Sequence, residues 1–321
     1  GRSGLEFFAI ALIATGLDVL LRHPGELAGR RFGLLAHGAS VTADCVPAHL
    51  ALAAAAMTPA RLFGPEHGYY GVEQDMVASA SARDPWTGVE IVSLYGDDES
   101  SLLPRPEAFT GLDLLLIDLQ DIGSRYYTYA ATAVWAAEAA RAAGCEVWIL
   151  DRPNPLGGEV VEGNLPEPGF ASFVGAFRMP VRHGLTLGEI VRLEAHRRQW
   201  GRLPKVLAVE GWRRSDLWPA TGRPWIAPSP NMPSYETALV YPGLCLLEAT
   251  ELSEGRGTTR PFLLFGAPGL RPTALAEALL PLRAMGVAAV PTYFRPQFQK
   301  HCGEVCGGVE LVLHAHPVED E

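Results

Sequence analysis

The sequence lacks the short motifs that mark several common enzyme classes. After the strand-like stretch at residues 31–37 stands "GASVTAD" instead of the dinucleotide fingerprint G-x-G-x-x-G, and no Walker-type phosphate loop occurs. The nucleophile elbow G-x-S-x-G, the zinc motif H-E-x-x-H and the EF-hand loop are also missing. We therefore expect neither a nicotinamide or flavin cofactor nor the corresponding serine, zinc or calcium chemistry.

Basic residues are few, and the cysteines are scattered. The chain of 321 residues has 26 Lys and Arg against 36 Asp and Glu, a net charge of -10. This balance argues against a nucleic-acid partner, because phosphate binding needs a basic face. The closest cysteines, Cys302 and Cys306, have no second pair at metal spacing, so we predict neither a structural zinc nor a disulfide framework. A small molecule or an oligosaccharide is the expected partner.

Long apolar runs are missing as well. The stretch at residues 5–16 is apolar but too short to span a bilayer. No positive cluster and cleavage site frame it as an intact signal peptide. We therefore expect no membrane association, and the compartment stays open.

The first half of the chain does contain an alternation of strand-like and helix-like segments. Residues 31–37, 112–121 and 146–155 are apolar and typical of buried strands, whereas residues 47–57 and 127–144 are rich in strong helix formers. Such alternation is typical of a parallel sheet covered by helices on both faces. We predict an α/β fold built on a Rossmann-like, mostly parallel sheet.

The second half of the chain has a different amino-acid composition, with more prolines, glycines and aromatic residues. Residues 185–200 form an amphipathic pattern in which Thr186 and Glu189 have the spacing of a helix capping box. We predict a Rossmann-like domain at residues 15–183 and a smaller mixed α/β domain at residues 184–321, with the site in the cleft between them.

Polar side chains stand at or just beyond the ends of the predicted strands. Glu66 and His67 follow the short strand-like stretch "RLF", and the central buried strand ends in "DLQD". Open parallel sheets bind their ligands at the carboxyl edge. We therefore expect one shared rim, formed by His37, Glu66, Asp118, Asp121 and Asp151.

Five stretches combine polar residues with rigid turns. "PEHG" presents Glu66, and "DLQDIGSRYYTY" adds Arg125 and tyrosines to two carboxylates, which suits a sugar bearing an acid group. Each stretch also has a plainer interpretation as a loop carboxylate, an N-cap, a domain connection or a solvated charged turn. Three stretches remain. "DRPNPLGG" with "VVEGN" presents Arg152, Asn154 and Glu162, and "PSPNMPS" presents Asn231. "ELSEGRGTTRPF" presents Glu254, Arg256, Thr258 and Arg260.

Together these stretches resemble one family, the bacterial exo-β-N-acetylmuramidases, which are peptidoglycan-recycling glycoside hydrolases formerly grouped as a domain of unknown function. Ten blocks match in order over about residues 15–315, among them "FGPEHG", "DLQDIGSRYYTY", "LDRPNPLGG", "PVRHGLTLGE", "PSPNMPS" and "ALVYPGLCLLEATELSEGRGTTRPF". The resemblance implies removal of a terminal N-acetylmuramic acid from the non-reducing end of peptidoglycan fragments, with no cofactor. It slightly favours a periplasmic or secreted location over a cytoplasmic one.

The resemblance also implies that the glutamate of the "PEHG" block, here Glu66, is the central catalytic residue. We assign it as the general acid, with His67 or Tyr126 tuning it. For the second group that a glycosidase needs, we rank Asp118 or Asp121 first, followed by Glu162 and Glu254. The candidates for binding the substrate's lactyl carboxylate and N-acetyl group are Arg125, Arg152, Asn154, Asn231, Arg256, Thr258 and Arg260.

Two other interpretations stay open at this point. The same rim could belong to a non-catalytic protein that binds a sugar or a muropeptide. Less favoured is a metal-dependent hydrolase with Asp118, Asp121, His37 and His67 as ligands, since these offer oxygen and nitrogen donors on one rim.

Overall fold

The computed structural model describes residues 12–72, 82–94 and 103–314. The chain forms two compact units, Gly1–Pro230 and Asn231–Glu321. A mostly parallel sheet with helices makes up the first unit, and a small antiparallel sheet with helices makes up the second. The expected α/β class is confirmed. Within the described ranges, no helix combines the length and the apolar character that crossing a bilayer requires.

The sheet of the first unit has seven strands in the described ranges, in the order β3-β4-β2-β1-β5-β6-β7. Neighbouring strands are parallel except for β3, which pairs antiparallel with β4 at one edge. Every residue of β1 and β5 is buried, as expected of central strands in a sheet covered on both faces. The strands are β1 Phe32–Ala36, β2 Arg61–Gly64, β3 Ala82–Arg83, β4 Glu90–Ser93, β5 Leu114–Asp118, β6 Glu146–Leu150 and β7 Lys205–Leu207.

The helices of the first unit begin and end at recognisable signals. In α4, Thr186 accepts a hydrogen bond from the Glu189 backbone, and the Glu189 carboxylate accepts one from the Thr186 backbone, so the predicted capping box is confirmed. Helix α3 ends at Gly144, whose positive φ lets its N–H and that of Cys145 bond back to the last turn in a Schellman motif. The helices are α1 Gly16–Arg22, α2 Ala48–Ala54, α3 Tyr129–Ala142 and α4 Leu187–Arg197.

The second unit is built on a three-stranded antiparallel sheet in the order β8-β10-β9. Its core includes Leu263, Phe265, Val309 and Leu311. The proline-containing strand β9 was missed at the sequence level, because proline lowers the expectation of a strand. The elements are α5 Tyr235–Leu244, β8 Leu264–Ala267, α6 Pro272–Ala278, β9 Val287–Phe294 and β10 Cys306–Leu313.

The division between the units lies later than the boundary predicted after residue 183. Strand β7 pairs with β6 and so completes the large sheet, and helix α4 packs against α3. Residues 184–230 therefore belong to the first unit. The prolines and glycines that follow β6 therefore belong to loops within that unit rather than to a new domain.

Candidate active site

The topology of the large sheet defines where its ligand site is expected. From β1 the chain moves outward through β2 to β4 on one side, and then returns to β5 on the other side of β1. The β1–β5 pair is therefore the switch point, beside which open parallel sheets bind their ligands. His37 follows β1, Gln120 and Asp121 follow β5, and Glu66 follows β2 next to β1.

Glu66 lies on a tight loop, residues 65–71, which we call the Glu66 loop. Gly64 is required where this loop begins, because a Cβ at that position would lie 2.6 Å from the Tyr69 backbone nitrogen. His67 has a φ of 70°, a left-handed conformation that costs free energy in a residue other than glycine and persists only when its surroundings impose it. The loop thus has a defined and partly strained backbone that carries Glu66 at the edge of the sheet.

The half-buried carboxylate of Glu66 is held by Thr128. The Thr128 hydroxyl donates to Glu66 Oε2 at 2.5 Å. Thr128 is the N-cap of α3, yet its side chain makes no capping hydrogen bond to the helix, although capping is the usual role of threonine at this position. The hydroxyl is therefore committed to the carboxylate. Among the described residues, no donor meets the second oxygen, Oε1, which is available to a ligand.

His37 and Tyr129 form a buried polar contact at the same edge. The Gln120 backbone N–H donates to His37 Nε2 at 3.0 Å, and His37 Nδ1 lies 3.2 Å from the Pro228 carbonyl oxygen. Burial, with a smaller contribution from the positive charge of Arg152, lowers the pKa of His37 to about 3. The neutral ring therefore donates through Nδ1. Tyr129 donates to the same carbonyl at 2.6 Å, so the rim anchors the start of the "PSPNMPS" loop.

Asp118 is fully buried and engaged by Arg152. The guanidinium Nε lies 2.5 Å from Oδ1, and Nη2 lies 3.0 Å from Oδ2, the bidentate geometry that makes such pairs strong. Arg152 Nη2 also donates to the Val41 carbonyl. Both residues were proposed for the site, but their principal partners in the structure are each other. Both ring nitrogens of His37 also have hydrogen-bond partners. Neither Asp118 nor His37, two members of the suggested metal ligand set, therefore offers an unoccupied ligand atom.

Asp121 lies just beyond β5, in a buried turn rather than within the strand. Its Oδ2 accepts from the Gly123 backbone at 2.7 Å and lies 3.3 Å from His183 Nε2. His183 Nδ1 accepts from the Leu185 backbone at 3.1 Å, so a proton of the ring lies on Nε2, the nitrogen that faces Asp121. The other carboxylate oxygen, Oδ1, has no hydrogen-bond partner among the described residues.

Arg125 and Tyr126 line a cavity of about 330 Å³. The Arg125 guanidinium lies over the Tyr126 ring, 5.2 Å from its centroid, and Nη1 donates to the carbonyls of Asn164 and Met179. Within the described part of the chain, no carboxylate forms an ion pair with Arg125. Glu167 also lines the cavity, but the hydrogen bonds of the Arg125 guanidinium go to backbone carbonyls. In the chain, Tyr126 is two residues before Thr128, whose hydroxyl holds Glu66.

Two further sequence candidates of the first unit have structural partners. Glu162 is exposed and pairs with Arg182 at 3.0 Å. Asn154 is buried, and its side chain donates to the Leu185 carbonyl and accepts from the Leu156 backbone. Asn154 therefore holds the turn that follows β6.

The remaining candidates belong to the second unit. Glu254 is buried, and its carboxylate pairs with Arg256 at 2.7 Å and with Lys300 at 3.4 Å. Thr258 donates to the Gly255 carbonyl, and the exposed Arg260 pairs with Glu310. Asn231 is half-buried at the first position of the unit. In the described ranges no group of three or more His, Cys, Asp or Glu side chains is arranged to hold a metal ion.

Sequence reasoning missed Thr128, Tyr129 and His183. The hydroxyl of Thr128 was hidden by its position before a helix, where a capping role is the default expectation. His183 lies 62 residues beyond Asp121 in the sequence, and only the folded chain brings the two side chains together. The block "PVRHGLTLGE" was part of the family resemblance, and its histidine was the one available signal.

A family model for the N-terminal part of the exo-β-N-acetylmuramidase NamZ matches residues 32–236, and the model for its C-terminal part matches residues 239–320. The chain belongs to this family. The peptidoglycan β-N-acetylmuramidase NamZ of Bacillus subtilis is 40% identical over 303 residues, which cover 94% of this chain and 72% of that protein.

Two crystal structures of DUF1343 family proteins from Bacteroides fragilis are also similar. One has a TM-score of 0.83 at 35% identity and covers 94% of this chain and 77% of its own. The other has a TM-score of 0.72 at 26% identity and covers 96% and 78%. The family resemblance inferred from the ordered blocks is thereby confirmed, and the junction of the two NamZ models lies close to the structural division after Pro230.

Proposed function

We propose that Glu66 is the general acid of an exo-β-N-acetylmuramidase that removes terminal N-acetylmuramic acid from the non-reducing end of peptidoglycan fragments. The observation that carries this assignment is the Thr128 hydrogen bond, which fixes one oxygen of Glu66 and leaves the other open among the described residues. A glycosidase must protonate the departing glycosidic oxygen while positive charge develops on the sugar ring. A fixed carboxyl group at the edge of the sheet suits that task.

Asp121 is the partner carboxylate in our proposal, ahead of Glu162 and Glu254. Arg152 occupies both oxygens of Asp118, the last residue of β5, so we do not choose Asp118 as the partner carboxylate. Asp121 has spare hydrogen-bonding capacity at Oδ1, and the Gly123 backbone N–H holds its opposite oxygen. It would guide a water molecule or attack the sugar, depending on its separation from Glu66.

Arg125 is our candidate for the lactyl carboxylate that distinguishes N-acetylmuramic acid from N-acetylglucosamine. It is half-buried and has no carboxylate partner in the described ranges, whereas Arg152, Arg256 and Arg260 are already paired with acids. A carboxylate ligand would give Arg125 the charge-assisted partner that the protein does not supply. Tyr126 offers the adjacent aromatic surface on which a sugar ring can pack.

The other binding roles are secondary. We propose that His67 contacts the substrate beside Glu66. For Asn231, Thr258, Arg256 and Arg260, which belong to the second unit, a role in substrate binding stays a prediction from the sequence. The reaction as proposed requires only water and protein side chains.

The test is the release of N-acetylmuramic acid from a disaccharide fragment that carries it at the non-reducing end, followed by chromatography. Glu66→Gln keeps the size of the side chain but cannot donate the proton, so we expect kcat to fall by roughly 10²- to 10⁴-fold. Glu26→Gln is the matched control, since Glu26 is exposed and lies before β1, at the opposite edge of the sheet. Equal turnover by the two variants would overturn the assignment of Glu66.

A further inference from the structure

The Glu66 loop takes part in a largely buried polar cluster that the proposed reaction does not use. It consists of His49 on α2, Tyr69 and Tyr70 on the loop, and Asp84 after β3. His49 and Asp84 are each 1% exposed and Tyr69 is 5% exposed, whereas the Tyr70 side chain reaches the surface and is 38% exposed. Burying a carboxylate costs free energy unless hydrogen bonds compensate. The hydrogen-bond partners of Asp84 therefore indicate its structural role.

Both oxygens of Asp84 are occupied, and they bond to different segments of the chain. The Tyr70 hydroxyl donates to Oδ1, which also lies 3.4 Å from His49 Nε2. The Thr87 backbone N–H donates to Oδ2 at 2.6 Å, and the Thr87 hydroxyl donates to the same oxygen. Burial raises the pKa of Asp84, but the hydrogen bonds from Thr87 and Tyr70 outweigh that effect and leave it below its ordinary value. Asp84 is therefore an ionised link between the turn after β3 and the Glu66 loop.

The aromatic rings connect the same segments. The His49 ring meets the Tyr69 ring edge to face at 5.4 Å, and Tyr69 meets Tyr70 in the same manner at 5.2 Å. Both tyrosines follow Glu66 within four residues. Between them and Glu66 the backbone is closed by short turns, with the Gly68 N–H bonded to the Pro65 carbonyl at 3.0 Å. Tyr70 and Glu66 are thus joined by a short stretch of tightly turned backbone.

We propose that Tyr70 and Asp84 are positioning residues that hold the Glu66 loop in register with the substrate. Thr128 fixes the Glu66 side chain, and in this proposal the Tyr70–Asp84 hydrogen bond fixes the backbone of its loop. This inference rests on the proposed role of Glu66, because the loop needs fixing only if a group on it reacts. Misplacing a reacting group by about 1 Å can lower the rate roughly 10²-fold.

The experiment compares three variants on the disaccharide substrate. Tyr70→Phe removes only the hydroxyl that reaches Asp84, and Asp84→Asn removes the charge while keeping the shape. Thr87→Val is the matched control, because it removes a hydroxyl bound to the same carboxylate but leaves the link to the loop intact. We expect kcat to fall roughly 10- to 100-fold in Tyr70→Phe and Asp84→Asn, with KM changed by less than about threefold and Thr87→Val near wild type.

A double variant separates positioning from general destabilisation. If both residues act through one hydrogen bond, Tyr70→Phe combined with Asp84→Asn will be no slower than Asp84→Asn alone. If Asp84→Asn fails to fold, Tyr70→Phe and Thr87→Val still decide the matter. The inference fails alone if Glu66→Gln is inactive while Tyr70→Phe keeps the wild-type kcat, or if Thr87→Val loses as much activity as Tyr70→Phe. Wild-type activity in Glu66→Gln removes the proposed acid, and this inference with it.

Discussion

The hydrogen bond from Thr128 to Glu66 leads to a quantitative prediction. Thr128→Val keeps the β-branched shape and the volume of the side chain but removes the donor to Glu66 Oε2. A hydrogen bond to a charged group is worth about 1.5–3 kcal/mol. If the bond orients Glu66 fully in the transition state, kcat/KM should fall by about 10- to 150-fold, since each 1.36 kcal/mol corresponds to a factor of ten.

The assay must separate this loss from a loss of stability. Thr221→Val provides the control, because Thr221 is a buried threonine of the same unit whose hydroxyl donates to the Trp218 carbonyl at 2.6 Å. Both substitutions should lower the unfolding temperature by a few degrees, about 2–4 °C per kcal/mol for a unit of this size. Only Thr128→Val should slow the release of N-acetylmuramic acid. If the two variants have the same kcat/KM, Thr128 does not orient Glu66 and our reasoning about the site is wrong.

Two further predictions concern substrate selection and pH. Arg125→Ala should lower kcat/KM about 10- to 100-fold for a substrate with the lactyl carboxylate and leave a matched N-acetylglucosaminide nearly unaffected; an equal loss on both substrates would contradict the proposed recognition. Burial raises the pKa of Asp151 from 3.8 to about 6, and hydrogen bonds from Thr186, Gly188 and Arg152 only partly offset this. The folded state therefore holds this proton more tightly than the unfolded chain, and the contribution of Asp151 to the free energy of unfolding should fall by about 2 kcal/mol as pH rises from 4 to 7. The destabilisation caused by Asp151→Asn, measured by urea unfolding, should shrink by that amount over the same range, and a pH-independent difference would refute it.

The sequence was most informative where local rules decide the structure. The capping box of Thr186 and Glu189, the helix end at Gly144 and the buried strands β1 and β5 all follow from short-range patterns. Placing Glu66 at the carboxyl edge required only the end of β2 and the direction of a parallel sheet. These elements were predictable because each depends on residues within a few positions of one another.

Long-range pairing could not be predicted in the same way. Asp118 and Arg152 were both recognised as chemically notable, but nothing in a single sequence indicates that residues 34 positions apart form a bidentate pair. The hydroxyl of Thr128 could serve its own helix or a distant carboxylate, and only the position of the Glu66 loop decides between them. The domain boundary predicted after residue 183 was misplaced for a related reason. Strand β7 has only three residues, and its sequence gives no indication that it pairs with β6.

The most direct test of the central claim compares the effect of Glu66→Gln on two leaving groups. In the disaccharide the leaving group is a sugar alkoxide, which is a poor leaving group and needs a proton. In a nitrophenyl muramide the leaving group is nitrophenolate, which departs without one. We predict that Glu66→Gln lowers kcat/KM for the disaccharide at least about 10²-fold more than for the nitrophenyl muramide. If both substrates lose activity to the same extent, or neither does, Glu66 is not the acid that protonates the leaving group.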